Sequence, residues 1–235
     1  MKLSIIVPVF NEEATLEEII QRVRETSIEK EIIAVDDGSS DNSTKILEKM
    51  EQDFAPDFKF IKHEMNKGKG AAIRTGLDVA SGDLILIQDA DLEYDPKEYP
   101  QLIKPFLDDS QIEVVYGSRI LLSDNARSSF VFYWGGRLLS GITNFLYGSQ
   151  ISDEPTCYKV FKTDLLKSLD LCSDGFEFCP EVTAKILLRK IPIYEVPISY
   201  RPRSWKEGKK IQWKDGFIAI WVLIKYRFKR VKKVN

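Results

Sequence analysis

Short apolar runs alternate with amphipathic stretches through the first half of the chain, and this alternation predicts strands separated by helices. Leu3-Ser4-Ile5-Ile6-Val7-Pro8-Val9 reads as a buried strand, with Pro8 near its end where a missing N–H is tolerated. After the turn Phe10-Asn11-Glu12-Glu13, the apolar residues Leu16, Ile19, Ile20 and Val23 recur at helical spacing. Residues 32–35 form a second strand. The cluster Asp36-Asp37-Gly38-Ser39-Ser40-Asp41 then supplies a turn and a helix N-cap, before a helix that buries Ile46, Leu47 and Met50. A weaker strand covers residues 58–61. Asn66-Lys67-Gly68-Lys69-Gly70-Ala71-Ala72 opens a helix that runs to Ala80. Residues 84–88 are a fourth strand, 96–107 a helix and 112–116 a fifth strand. Strands and helices in this rhythm predict an α/β fold with a mostly parallel sheet and helices on both faces.

The second half is less regular. A helix is expected over residues 130–147, weakened by Gly135, Gly136 and Gly141. Residues 180–188 read as another helix, 191–200 as extended chain and 216–229 as a terminal helix with a basic tail. Between them, Asp153-Glu154-Pro155-Thr156-Cys157-Tyr158-Lys159 is too polar and too varied to be only a linker. No repeat or low-complexity segment divides the chain, so one domain over 1–215 is expected, with 216–235 as an amphipathic appendage.

Charge changes this picture. Residues 1–110 carry 13 Lys/Arg against 24 Asp/Glu, whereas residues 111–235 carry 21 against 12. An acidic first half and a basic second half suggest two different ligands. Three cysteines, Cys157, Cys172 and Cys179, show no C-x-x-C spacing, which argues against a zinc knuckle or a disulfide framework and for a reducing compartment. His63 is the only histidine, so any Ser-His or Cys-His hydrolytic mechanism would have to run through it. No signal peptide is visible, and the eight-residue apolar run 217–224 falls far short of the ~20 residues that span a bilayer.

The densest chemistry follows the fourth strand. Asp89, Asp91 and Glu93 are separated by single residues just beyond Leu84-Ile85-Leu86-Ile87-Gln88. Open α/β sheets bind ligands at the carboxyl ends of their strands. Carboxylates there offer hard oxygen ligands to Mg²⁺ or Mn²⁺, which in turn can hold a diphosphate. Other chemistry-bearing residues follow strands 1, 2 and 5.

Ile6-Val7-Pro8-Val9-Phe10-Asn11-Glu12, Val35-Asp36-Asp37-Gly38-Ser39-Ser40-Asp41, Asn66-Lys67-Gly68-Lys69-Gly70, Gln88-Asp89-Ala90-Asp91 and Tyr116-Gly117-Ser118-Arg119, in this order, resemble the family 2 glycosyltransferases of the GT-A (Rossmann-like) fold. Within that family the dolichol- or polyprenol-phosphate mannosyl- and glucosyltransferases look most similar. The resemblance covers roughly residues 1–215. It implies a nucleotide-sugar half over 1–110 and an acceptor half over 111–215. Pro8, Phe10, Glu12 and Asp37 would meet base and ribose, and Lys67, Lys69, Asp89, Ala90 and Asp91 the rest of the donor. Asp89, Asp91 and Glu93 would hold the metal, although many relatives have glutamine where Glu93 stands. Arg119 would pair with a lipid phosphate, assisted by Arg137, Ser140 and Arg203. Asp153 falls in the family's second acidic motif, near the acceptor, and Cys157 replaces a common glycine as a packing residue.

The implied reaction moves a hexose from a GDP- or UDP-sugar to a polyprenyl or dolichyl phosphate, with inversion. A phosphate oxygen is already anionic and needs little or no general base; a saccharide hydroxyl acceptor would need one, for which Asp153 or Glu154 is the candidate. A nucleotidyltransferase would want a glycine-rich loop after strand 1, which is absent. A nucleic-acid binder is disfavoured because the basic tail follows Trp221-Val222-Leu223-Ile224, a pattern suited to a membrane interface. The expected setting is the cytoplasmic face of a membrane, with self-association left open.

Overall fold

The computed structural model describes residues 1–123, 125, 130–203, 208 and 210–228, with the backbone alone for 130 and 131. The first half follows the alternation: β1 (Leu3–Val9), α1 (Leu16–Glu25), β2 (Lys30–Asp36), α2 (Ser43–Phe54), β3 (Phe58–Lys62), α3 (Lys69–Val79), β4 (Leu84–Ile87), α4 (Tyr99–Asp108) and β5 (Val114–Ser118). Next come α5 (Phe130–Tyr147), β6 (Lys159–Lys162), α6 (Thr163–Lys167), α7 (Phe178–Leu188), β7 (Tyr194–Pro197) and α8 (Trp213–Phe228). The sheet runs β3-β2-β1-β4-β6-β5-β7. Strands β1 to β4 pair in parallel, as do β5 and β7, while β6 lies antiparallel between β4 and β5.

The period-2 geometry of a strand sends successive side chains to opposite faces. Ile5 and Val7 meet the apolar stripes of α1, α2 and α4 on one side. Ile6, Ile33 and Val35 meet those of α3, α6 and α7 on the other. Both faces are covered, which is why β1, β2 and β4 read as continuous apolar runs. Pro8 is tolerated because the pairing of β1 with β4 ends at Ile6, before the proline's missing N–H is needed.

Three expectations need correction. The fifth strand begins at Val114 rather than Ile112 and extends through Ser118, which sets Arg119 directly at its end. The polar segment after residue 151 contains β6, an unanticipated strand. Its Lys159 is fully buried and donates to the carbonyls of Glu154 and Thr156 at 2.7 and 2.5 Å. The terminal helix was expected to lie on a surface rather than in the core. In fact α8 buries Ala219, Val222, Leu223 and Tyr226 with Leu139 of α5 and Ala184 of α7. Its other side leaves Phe217, Ile218, Trp221, Ile224 and Phe228 exposed. The helix therefore has two apolar faces, of which only one is covered among the described residues. The basic residues Lys229, Arg230, Lys232 and Lys233 lie outside the described residues.

Candidate active site

The carboxyl ends of β1, β2, β4 and β5 open into one cleft of about 870 Å³. Pro8, Phe10, Glu12, Asp37, Lys69, Asp89, Ala90, Asp91, Glu93, Arg119, Arg137, Asp153 and Arg203 all line it. Lys67 and Ser140 are not among its lining residues. Four separate strand ends thus bring together most of the residues that the sequence singled out.

At the end of β4, Asp89 faces the Lys69 ammonium at 2.5 Å, and Lys69 also reaches Cys157 Sγ at 3.3 Å. Asp91 lies 3.2 Å from Arg203 Nη2, and its Oδ1 accepts the Glu93 N–H at 3.2 Å. Between them Leu92 takes a left-handed backbone at φ 61°, a costly conformation for leucine that is held by its packing on the core. Burial, with the charges of Asp89 and Glu93 added to it, pushes the Asp91 carboxyl up to about 7.

Glu93, expected among the metal ligands, is engaged within the protein. Its carboxylate accepts the Arg203 N–H at 2.8 Å and the Tyr200 hydroxyl at 3.2 Å, while its carbonyl takes the Arg201 N–H at 2.9 Å. It anchors residues 200–203, of which Tyr200 and Arg203 line the cleft. Among the described residues no three carboxylates, histidines or cysteines gather as a ready metal cage. Asp89 and Asp91 still fit a hard divalent cation. Mg²⁺ is commonly held by one or two carboxylates together with substrate phosphates, and Asp91 carries repulsion from its neighbours that a cation would relieve.

Two cations meet Glu12. Arg203 Nη1 reaches both carboxylate oxygens of Glu12 at 3.1 Å. Lys210 Nζ lies 2.5 Å from Glu12 Oε1 and also bonds the Phe10 carbonyl. Arg203, expected among the acceptor residues, therefore sits with Glu12 and Asp91 on the side expected for the donor. Lys210 was missed, since nothing in its spacing separates it from the other basic residues around it.

Asp37 is fully engaged. Its two oxygens accept the N–H groups of Lys67 and Gly68 at 2.9 and 2.7 Å, and His63 Nδ1 lies 2.7 Å from Oδ1. The N–H groups of Lys67 and Gly68 that lead into α3 are therefore already taken up within the protein. Gly68, at φ 102°, and Gly70 lie so close to Ser173 and Asp174 that a Cβ on either would meet that backbone at 2.4 or 2.3 Å. The Ala71 N–H is taken by the Asp174 carbonyl at 3.0 Å. Lys67 has an exposed side chain and contributes only backbone, whereas Lys69 brings its charge into the cleft.

On the opposite wall, Arg119 forks onto Asp153, with Nε and Nη2 donating to its two oxygens at 2.8 and 2.7 Å. Burial would raise the Asp153 carboxyl, but the charge and hydrogen bonds of Arg119 outweigh it and hold the group below its ordinary range. The fork that the resemblance assigns to a phosphate is thus occupied, and Asp153 is ionised and committed. Glu195 of β7, which the sequence reading missed, fixes this loop by accepting the N–H groups of Ser152 and Asp153 at 2.8 and 3.1 Å. Ser140 is buried away from the cleft, accepting the Glu154 N–H at 2.9 Å and donating to the Gly136 carbonyl at 3.1 Å. Arg137 is exposed over the cleft, with Nη1 3.5 Å from the Ser152 carbonyl. Glu154 is fully buried, and neither of its carboxyl oxygens has a well-formed hydrogen bond. The Thr183 hydroxyl beside it is engaged with Tyr116 Oη at 2.9 Å. Burial pushes the Glu154 carboxyl up to about 7 against the pull of Lys159.

Comparison with known proteins gives the family. A UDP-N-acetylglucosamine–dolichyl-phosphate N-acetylglucosaminyltransferase of Methanococcus voltae is 30% identical, covering 97% of this chain and 96% of its own length. An undecaprenyl-phosphate 4-deoxy-4-formamido-L-arabinose transferase of Edwardsiella ictaluri is 28% identical over 88% of this chain, which matches 62% of that protein. The glucosyl-3-phosphoglycerate synthase of Mycobacterium tuberculosis, solved with UDP, superposes with a TM-score of 0.74 at 20% identity, covering 96% of this chain and 80% of its own. A second crystal structure of that enzyme, with Mn²⁺, UDP and glucosyl-3-phosphoglycerate, gives a TM-score of 0.72 at 20% identity, over 96% and 78% of the two chains. At that identity the likeness is one of fold. Residues 4–170 match the profile of glycosyl transferase family 2, and with a full-length relative at 30% identity the chain belongs to that family and is a glycosyltransferase.

Proposed function

We propose that this glycosyltransferase moves a sugar from a nucleotide diphosphate sugar to a polyprenyl or dolichyl phosphate at a membrane surface, with Mg²⁺ or Mn²⁺. The observation that carries this reading is the lining of the cleft. It joins the carboxylates of Asp37, Asp89, Asp91 and Glu12 to Leu138 of α5 and to Trp213 and Phe217 of α8, all three exposed large apolar side chains. A ligand with a charged head and an apolar tail suits such a cleft better than a free saccharide does. The two curated relatives named above act, by name, on dolichyl and undecaprenyl phosphates.

In this reading Asp89 and Asp91 hold the cation, which when bound supplies Lewis-acid stabilisation to the leaving diphosphate. Lys69, Arg203 and Lys210 add positive charge on the donor side. The acceptor's phosphate oxygen is anionic and attacks without a base, giving inversion. Asp153 acts as a positioning residue that aims Arg119, and Arg137 meets the phosphate from α5. The test is transfer of radiolabelled sugar from UDP- and GDP-sugars, with Mn²⁺, to short polyprenyl phosphates and to free saccharides. Lipid phosphates are expected to be glycosylated and free sugars ignored. Glu154 favours a second reading, since a carboxyl near 7 is suited to deprotonate a saccharide hydroxyl. Saccharide transfer that is lost in Glu154→Gln, with lipid phosphates ignored, would establish it instead.

The uncovered face of α8 is the proposed membrane contact, from the side that supplies nucleotide sugars. Among the described residues no helix is long and apolar enough to cross a bilayer. Trp221 and Phe217 are 59% and 67% exposed, so neither is needed for packing. Trp221→Glu and Phe217→Glu should each weaken co-sedimentation with anionic liposomes by about tenfold or more, the apolar burial of one large side chain being worth about 1.5–3 kcal/mol. Thermal stability should change little. Undiminished liposome binding by the double variant would remove the membrane contact. Deleting 216–235 is the poorer test, because it also removes the buried stripe of α8.

A further inference from the structure

Two cysteines line the cleft without a role in the reaction proposed above. Cys157 precedes β6, and Cys179 lies in the first turn of α7. Both are half-buried, and Cys179 Sγ lies 4.0 Å from the carbonyl of Thr156, the residue before Cys157. Cys157 Sγ also accepts from the Lys69 ammonium at 3.3 Å, the same ammonium that lies 2.5 Å from Asp89. Lys159 adds a second positive charge acting on Cys179. Cys179, which faces ammonium charge and remains reachable from the cleft, has the setting of a reactive rather than an inert cysteine, whereas the neighbouring Cys179 thiol and burial push Cys157 up. The third cysteine, Cys172, is placed differently, 3.2 Å from both Glu181 Oε1 and Tyr226 Oη.

We propose that Cys157 and Cys179 are an oxidisable dithiol built into the cleft, which hydrogen peroxide closes into a disulfide that deprives Lys69 of a partner. One sulfur attacks the peroxide O–O bond, becoming a sulfenic acid and releasing one water once its proton is counted. The other thiol then displaces the sulfenic oxygen as a second water, and the S–S bond forms. Two thiols give up two electrons and two protons, and one peroxide becomes two waters. A disulfide sulfur carries no charge and accepts weakly, so Lys69 is left with Asp89 alone. The bond also ties α7 to the loop before β6, narrowing the cleft between them.

The experiment uses the full chain, reduced and then exposed to hydrogen peroxide. Intact mass and peptide mapping are read first, followed by calorimetric affinity for UDP and GDP. Peroxide should remove about 2 Da and produce one linked peptide pair, Cys157 with Cys179, leaving Cys172 free. Nucleotide affinity should fall about tenfold, the scale of one lost charged hydrogen bond, and dithiothreitol should restore it. Cys172→Ser should behave as the wild type. Cys179→Ser should form no linked pair and should keep its own reduced affinity through the peroxide treatment. Oxygen addition at separate cysteines without a linked pair, or a link through Cys172, would overturn the dithiol. A Cys157–Cys179 link with unchanged affinity would overturn its coupling to Lys69. The affinity arm rests on the donor site proposed above. If the reduced wild type binds neither nucleotide, that site is wrong, while the mapped peptides still decide the dithiol.

Discussion

Asp91→Asn is expected to lower sugar transfer by about 10²–10³-fold while raising thermal stability at neutral pH. The side chain is 11% exposed, and burial together with the charges of Asp89 and Glu93 lifts its carboxyl up to about 7. In the unfolded chain the same group titrates near ~3.9. A folded value above the unfolded one means that ionising Asp91 costs stability. The cost grows as pH rises from about 4 to about 7 and is complete above that. The uncharged asparagine escapes it. Arg203 keeps Glu12 as a partner, so the substitution strands no cation. Melting temperatures measured in EDTA at pH 4, 6 and 8 should show the variant level with wild type at the acid end and above it at the alkaline end. A variant that melts lower at pH 8 would mean that the Asp91–Arg203 pair is net stabilising. Full transfer activity would remove Asp91 from the reaction.

Arg119→Ala should cost about 3–5 kcal/mol of stability, because it leaves Asp153 ionised and buried with its fork partner gone. Asp153 has a side chain 3% exposed, and its ordinary ionisation depends on Arg119 outweighing the effect of burial. Arg119→Lys keeps a charge but cannot make both bonds, and should fall between Ala and wild type. The pair Arg119→Leu with Asp153→Leu separates structure from function. Replacing both charges by apolar groups of similar bulk should recover most of the stability in urea titrations and none of the transfer to a lipid phosphate. Recovery of transfer as well would show that the pair only holds the fold.

The strand ends that build the site were legible because β1, β2 and β4 are buried on both faces. Such strands write themselves as unbroken apolar runs, and the polar residue that follows each run marks the cleft. β6 was hidden for the opposite reason. It has four residues, two of them lysines, and Lys159 is buried only because two carbonyls of the preceding turn receive its ammonium. The partners of the candidate residues were less legible still. Glu93 binds the backbone of a residue 110 positions away, and Glu12 binds a side chain 191 away. No local spacing encodes such a pairing, so the sequence named Arg203 as a site residue but not the carboxylates it meets. The resemblance gave Arg119 a phosphate to pair with, and the carboxylate that fills its fork became visible only when β5 and the loop before β6 were brought together. The excess of apolar residues on α8 signalled something beyond a single stripe. Which of its faces meets α5 and α7 depends on helices far from it in sequence.

The placement of β6 also dictates an order of events during synthesis. β1, β2, β3 and β4 can pair as soon as residue 87 has left the ribosome. The outer edge of β4, four consecutive apolar residues, then stays unpaired until Lys159–Lys162 emerges. At about 5–20 residues per second that interval lasts roughly 4–15 s. An apolar strand edge open for that long is a template for another chain. β5 is made early in the interval but has no neighbour until β6 arrives to separate it from β4. The growing chain is therefore most prone to aggregate between residues 87 and 162, the stretch in which a chaperone would have the most to protect.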